Sequence, residues 1–138
     1  MTSATSPKST ASTFDPVSDM AEFHEKFGLT YRGRPRPLPE EMGDFREEFM
    51  CEELSEYALA KVDNNLEKQF DALIDLVYVA LGTAYLHGFD FKEGWRRVHE
   101  ANMKKVRAQR ASDSLRGSTF DVVKPAGWTP PDLSDLVA

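Results

Sequence analysis

The sequence predicts an all-α fold: an antiparallel bundle of about four helices with an irregular C-terminal tail, completed by oligomerisation. Apolar residues recur at helical spacing in separate segments of the chain. One segment, residues 70–86, is apolar on nearly every side, as expected of a helix enclosed by protein. The alternation of strand and helix patterns that indicates a βαβ fold is not found.

The first predicted helix lies within FDPVSDMAEFHEKFG, residues 14–28. Asp15 can cap its start, Pro16 suits its first turn, and Gly28 suits its end. Residues 1–13 are rich in Ser and Thr with almost nothing to bury, so we expect a disordered leader there. Residues 14–138 are then expected to form one domain.

The second helix is predicted over residues 39–61, after a proline-rich linker that cannot be helical. Its narrow apolar stripe is formed by Met42, Phe45 and Phe49. Continued along the helix, the same stripe passes through Glu53 and Glu56, with Glu52 at its edge. The helix therefore places acids where a core-facing surface is expected.

The third helix is predicted over residues 65–87, and its apolar part carries charge only at Asp71 and Asp75. Both acids lie on one line with Tyr78 and Gly82. The other helices are too few to enclose so apolar a helix, which favours its burial against another copy of the chain.

The fourth helix is predicted to be capped by Asp90, with Glu93 as its capping-box partner, and to end near Arg110. One face of this helix is formed by Trp95, Val98, His99, Asn102 and Val106. The remaining tail is expected to be irregular, with a short extended piece around residues 120–123.

Composition limits the classes of partner and compartment. The chain has 138 residues, a mass of 15.6 kDa and a net charge of −6, which argues against a nucleic-acid backbone as partner. A single cysteine, Cys51, suits a reducing cytoplasm. We expect no apolar run to reach the length of a membrane span, and therefore no membrane partner.

The acids of the second and third helices are expected to converge, since the two helices should form an antiparallel hairpin. The break between the two helices is centred near residues 63–64. Glu56 lies seven to eight residues before this centre, and Asp71 lies the same number after it. At a rise of about 1.5 Å per residue, both lie roughly 11 Å from the turn. By the same count Glu52 and Glu53 face Asp75.

Carboxylates between packed helices are costly unless they are paired or bind a cation, and residues 70–86 contain no Lys or Arg. The alternative interpretation is an ordinary solvated acidic face. A divalent cation with oxygen ligands fits better, and Mg²⁺ is predicted, with Mn²⁺ as a substitute. Calcium-loop, glycine-rich phosphate-loop, HExxH and Cys/His zinc motifs are missing.

The stretches EELSEY, DALIDLVYVALGTAYLHG and EANMKKV resemble the all-α nucleoside triphosphate pyrophosphohydrolase superfamily. It contains the MazG proteins, the dimeric dUTPases and the phosphoribosyl-ATP pyrophosphohydrolases. The chain is most similar to its short MazG-like, phosphoribosyl-ATP-pyrophosphohydrolase-like form of phages and actinobacteria.

This resemblance implies a metal site built from EExxE on one helix and ExxD on the next. Glu52, Glu53 and Glu56 match the first motif, and the end of the second is matched by Asp75. Ala72 stands where ExxD has its glutamate, and Asp71 is the candidate stand-in.

The resemblance also implies Mg²⁺-dependent hydrolysis of a nucleoside or deoxynucleoside triphosphate to the monophosphate and pyrophosphate, in a house-cleaning role. Glu53 or Glu56 would act as general base. Asn102 and Lys105 match the family's phosphate-holding NxxK element, and Lys105 would offset charge on the leaving pyrophosphate. Candidates for an aromatic base-binding slot are Phe23, Phe27, Tyr78 and Trp95.

Two alternatives remain open. One is hydrolysis of phosphoribosyl-ATP in histidine synthesis. The other is a non-catalytic helical oligomer that binds metal or nucleotide, an alternative that Ala72 keeps open.

Overall fold

The computed structural model describes residues 13–138 and confirms the all-α prediction. The helices are α1 (Pro16–Lys26), α2 (Glu40–Val62), α3 (Leu66–His87) and α4 (Phe91–Asn102). Two short strands, β1 (Val106–Arg107) and β2 (Val122–Val123), and 3₁₀ helices at Ala111–Asp113 and Ser134–Val137 complete the described chain. The predicted leader lies outside the described residues except for Thr13.

The predicted helix starts are confirmed by side-chain caps. Asp15 Oδ1 accepts a hydrogen bond from the Ser18 backbone at 3.1 Å, and Pro16 is the first residue of α1. Asp90 Oδ1 accepts from the Glu93 backbone at 3.2 Å. The Glu93 carboxylate binds arginines of the next turn instead of completing a capping box. Gly28, with φ of 71°, ends α1 as expected.

The predicted end of the fourth helix near Arg110 is wrong, because α4 ends at Asn102. The chain turns there, and Val106–Arg107 pairs antiparallel with Val122–Val123. Ala108 is buried, and its backbone N–H donates to the backbone carbonyl of Asp121 at 2.9 Å. Pairing with the tail thus supplies the backbone partners that a longer helix would have provided.

The helical hairpin of α2 and α3 is the centre of the fold, and α1 packs on α3. Asn65 caps α3 by accepting from the Lys68 backbone at 3.0 Å. The linker after α1 is fixed along the end of α3, where the Tyr31 backbone donates to the Tyr85 hydroxyl at 3.0 Å. The hairpin, α1 and this linker together define the region where the acids lie.

The C-terminal tail is anchored on α4. Trp128 Nε1 donates to the Ala101 carbonyl at 2.8 Å, which closes the last turn of the helix. Arg97 pairs with Asp135 at 2.6 Å and also reaches the Asp132 carbonyl at 2.9 Å. The tail is therefore irregular, as predicted, but its position is set by specific contacts.

The expectation that α3 is surrounded by protein does not hold within the described chain. Phe70 is 68% exposed and Val77 is 56% exposed. These side chains line an open groove of about 630 Å³ together with Leu73 and Ile74. The apolar side of α3 that faces away from α2 therefore lacks a cover within residues 13–138.

By length and composition α3 could cross a membrane, with a mean hydropathy of 1.2. The expectation that no apolar run reaches the length of a membrane span is therefore wrong by length and composition alone. Packing against α1 and α2 explains the apolar residues on the buried side of α3, and the remaining ones line the open groove.

Candidate functional site

The structure brings together three of the predicted acids: Glu53 and Glu56 of α2 and Asp75 of α3. One ligand oxygen from each lies within 4.8 Å of the others. Glu53 is buried, with 7% of its surface exposed, while Asp75 is half-buried and Glu56 is exposed. The group therefore runs from the helix interface to the surface, as expected of a site that meets a soluble ligand.

The electrostatics of this group favour a cation. Glu53 Oε2 is buried and has no hydrogen-bond partner among the described residues. Burial raises the pKa of the Glu53 carboxyl, and the neighbouring charges of Glu56, Asp75 and Glu52 raise it further. A hard divalent cation would supply both the missing partner and the missing positive charge, so the oxygen donors fit a metal site.

Two other predicted metal ligands are not members of this group. Glu52 and Asp71 are both exposed, and neither belongs to the acids whose oxygens lie within 4.8 Å. Ala72 is only 2% exposed, so the position of the missing ExxD glutamate is filled by a buried methyl group. The roles of Glu52 and Asp71 as ligands stay predictions.

A cavity of about 210 Å³ lies directly beside Glu53 and Asp75, between α1, α2 and α3. Its aromatic walls are Phe23, His24, Phe49 and Tyr78. Phe23 and Tyr78 meet edge to face, with their centroids 5.4 Å apart. Burial raises the pKa of the Tyr78 phenol, as do the charges of Asp19 and Glu22, so this hydroxyl stays protonated.

The wall formed by α1 is held in place by His24, which is only 2% exposed. Its Nδ1 donates to the Met20 carbonyl at 2.7 Å, and its ring stacks on Tyr85 at 4.3 Å. This histidine therefore fixes the orientation of α1 against α3 at the edge of the cavity.

The end of the cavity away from the acids contains Arg46 of α2. Its Nε donates to Thr83 Oγ1 at 3.0 Å, and its Nη2 donates to the Val79 carbonyl at 2.8 Å. Burial lowers the pKa of this guanidinium, which nonetheless remains protonated at neutral pH. The cavity therefore has an acidic end, an aromatic middle and a cationic end.

The other predicted binding residues do not line this cavity. Phe27 packs on Phe23 at 4.8 Å but is 57% exposed. Trp95 lies on α4, where it stacks with Phe91. Asn102 ends α4, and the Lys105 ammonium lies 5.1 Å from the centroid of the Trp128 ring.

Sequence reasoning missed Arg46 and Phe49 as site residues, although their spacing could have revealed them. They precede Glu53 by seven and four residues, so they share its face of α2. Val79 and Gly82 follow Asp75 by four and seven residues on the antiparallel α3. The same periodicity that identified the acids thus extends to the cavity walls.

These features define an all-α domain whose two central helices bring carboxylates together beside an aromatic cavity, a site suited to a divalent cation. A sequence model of the phosphoribosyl-ATP pyrophosphohydrolase family matches residues 20–102, and the chain belongs to this family. The match runs from α1 to the end of α4 and includes all of the grouped acids. No curated protein matches the chain.

The family assignment confirms the predicted resemblance to MazG-like all-α pyrophosphohydrolases. The protein is accordingly a pyrophosphohydrolase that acts on phosphoric anhydride bonds and belongs to a family of soluble enzymes. Its substrate is a nucleotide.

Proposed function

We propose that the protein hydrolyses a nucleoside or deoxynucleoside triphosphate to the monophosphate and pyrophosphate, with Mg²⁺ as cofactor and a house-cleaning role. The observation that carries this proposal is the buried Glu53 oxygen, which has no partner within the described part of the chain and is grouped with Glu56 and Asp75. A triphosphate brings several negative charges to an acidic site, so a divalent cation must lie between the two.

Glu53, Glu56 and Asp75 would hold the ion, with Mn²⁺ as a substitute for Mg²⁺, and Glu52 and Asp71 would add charge nearby. When bound, the metal polarises phosphoryl oxygens and lowers the pKa of a coordinated water. Whichever of Glu53 and Glu56 keeps a carboxylate oxygen free of the ion would act as general base and accept the proton of the attacking water. Attack at the α-phosphorus breaks its bond to the bridging oxygen and releases pyrophosphate.

The substrate base would occupy the aromatic cavity, where Tyr78 and Phe23 supply ring contacts. We propose that Lys105, with Asn102, offsets charge on the leaving pyrophosphate. Since Lys105 lies against Trp128 and not in the cavity of its own chain, a neighbouring subunit would have to supply it.

A homodimer or homotetramer is part of this proposal. The groove on α3 exposes large apolar side chains that include Phe70, Leu73 and Val77. Such a surface is costly to leave in water, and a second copy of the chain would cover it. The net charge of −6 supports a free nucleotide over nucleic acid as partner, and we propose a cytoplasmic location.

Hydrolysis of phosphoribosyl-ATP is the second candidate, because the matching family is described by this activity. The third is metal or nucleotide binding without turnover. The buried Ala72, in the place of a family carboxylate, keeps this candidate open.

The decisive experiment is release of pyrophosphate from a panel of NTPs, dNTPs and phosphoribosyl-ATP, each with Mg²⁺ and with a chelator. We expect turnover of a triphosphate with Mg²⁺ only, and its loss in Asp75→Asn, whereas a strict preference for phosphoribosyl-ATP would favour the second candidate. Asp71→Asn is the matched control: activity near wild type would exclude Asp71 as a required ligand. Binding without turnover across the panel would overturn the proposal.

A further inference from the structure

The charge of Arg46 is not neutralised by any carboxylate within the part of the chain that the structure describes. Its hydrogen bonds go to neutral acceptors, the Thr83 hydroxyl and the Val79 carbonyl. Nη1 donates no hydrogen bond to a described residue. The guanidinium carbon also lies 5.6 Å from the centroid of the Phe49 ring. Arg46 is thus half-buried at the edge of the cavity, with N–H donors that remain available to an acceptor on a bound ligand.

Gly82 is what lets the guanidinium lie there. A Cβ atom at this position would come within 2.7 Å of Arg46 Nη2. Gly82 is otherwise an ordinary helical position of α3, with a backbone conformation that alanine also adopts. The glycine therefore holds open the space that the guanidinium occupies.

The arrangement of the cavity decides which part of a nucleotide would meet Arg46. The phosphates belong with the cation at Glu53 and Asp75. Arg46 precedes Glu53 by seven residues, which is about 10 Å along α2. Phe23, Phe49 and Tyr78 lie between the two ends, so the base and not the phosphate chain reaches the guanidinium.

We propose that Arg46 selects nucleotides whose base carries an oxo group, that is 6-oxopurines and 4-oxopyrimidines, over bases with an amino group at that position. This inference rests on the proposed function and extends it to base specificity. A carbonyl oxygen accepts from the free N–H donors of the guanidinium, and guanine also offers N7. Adenine shares N7, but its amino group, like that of cytosine, places a donor against the guanidinium donors and removes one of the acceptors that the oxo bases offer.

The wild-type protein provides the first test, because binding can be measured without turnover. Affinities for the α,β-imido analogues of dGTP, dUTP, dATP and dCTP would be measured by calorimetry with Mg²⁺. We expect the oxo-base analogues to bind roughly tenfold or more tightly than the amino-base analogues. Binding of all analogues with equal affinity would overturn the role of Arg46 and leave the proposed function standing. If no analogue binds, the proposed function fails as well.

Gly82→Ala is the sharper test, since the new methyl group meets only the flexible end of Arg46 and makes an ordinary 3.4 Å contact with His24. Alanine favours a helix over glycine, which offsets the loss of hydrogen bonds by a displaced Arg46, so the variant should still fold. We expect its melting temperature to be kept and its base preference to fall to near unity. Gly94→Ala on α4 is the matched control, because nothing lies within 4 Å of a Cβ there.

An unchanged base preference in Gly82→Ala would contradict the proposal. An equal loss of affinity for all analogues in this variant would also contradict it. That result would indicate that Arg46 contacts the phosphates or has a purely structural role.

Discussion

At the scale of single residues, the site is defined by a carboxylate in an unfavourable place. Glu53 is buried beside other acids and has an oxygen without a partner among residues 13–138. Such a group lowers the stability of the folded chain unless a cation binds. The arrangement resembles other functional sites, where local stability is given up for binding.

Replacement of this side chain by a neutral one should therefore stabilise the metal-free protein. We expect Glu53→Gln to raise the free energy of unfolding at neutral pH by about 1 kcal/mol. The measurement is thermal or urea unfolding followed by circular dichroism, with chelator. Mg²⁺ should then raise the melting temperature of the wild type and not that of the variant.

The pH dependence has a definite sign. The pKa of Glu53 is raised in the folded state, so folding favours the protonated carboxyl. Its contribution to the free energy of unfolding is therefore fully present below the ordinary glutamate pKa and is lost as pH rises through the raised pKa. The stability advantage of Glu53→Gln should therefore grow with pH over this window. Glu52→Gln is the matched control, since this neighbour is exposed. An equal advantage in both variants at all pH values would contradict the assignment.

At the scale of elements, α4 depends on the tail for its C-terminal end. The indole N–H of Trp128 binds the carbonyl of Ala101, which is buried, and the ring lies near the ammonium groups of Lys105 and Lys124. The tail thus satisfies a helix end that would otherwise need another partner.

Trp128→Ala should loosen the tail from α4. We expect trypsin to cut after Lys105 or Lys124 faster in the variant, by about tenfold, since losing the ring and its hydrogen bond costs about 1–3 kcal/mol. Proteolysis followed by mass spectrometry measures this change. Trp95→Ala is the control, because Trp95 lies on α4 itself and is 64% exposed. Equal cleavage of both variants would show that Trp128 does not anchor the tail.

At the scale of the whole molecule, the described chain leaves much apolar surface uncovered. Half of its buried apolar residues are alanines, such as Ala60, Ala72 and Ala101, whereas α3 exposes much larger side chains. A helix this apolar is stable in water when another surface covers it.

Val77→Glu places a charge in the α3 groove and should disrupt the proposed assembly. We expect light scattering to give more than one chain for the wild type and a shift toward 15.6 kDa for the variant. Val62→Glu is the control, since Val62 is 75% exposed at the end of α2 and does not line the groove. A wild-type mass of one chain would contradict the proposed oligomer.

The sequence alone determined which segments are helical, and it predicted that acids of α2 and α3 face one another. Caps such as Asp15 and Asn65 act over a few residues, and helical periodicity places Glu53 and Glu56 on one face without knowledge of the rest of the chain. Both signals are local, so they can be read from neighbouring residues.

Only the tertiary structure decided where α4 ends, which acids come together and what surrounds them. The early end at Asn102 depends on pairing with a strand far along the chain, and the open side of α3 depends on how few helices pack on it. Arg46 enters the cavity because Gly82 of another helix leaves room for it. Contacts between residues distant in sequence decide these features, and local periodicity carries no information about them.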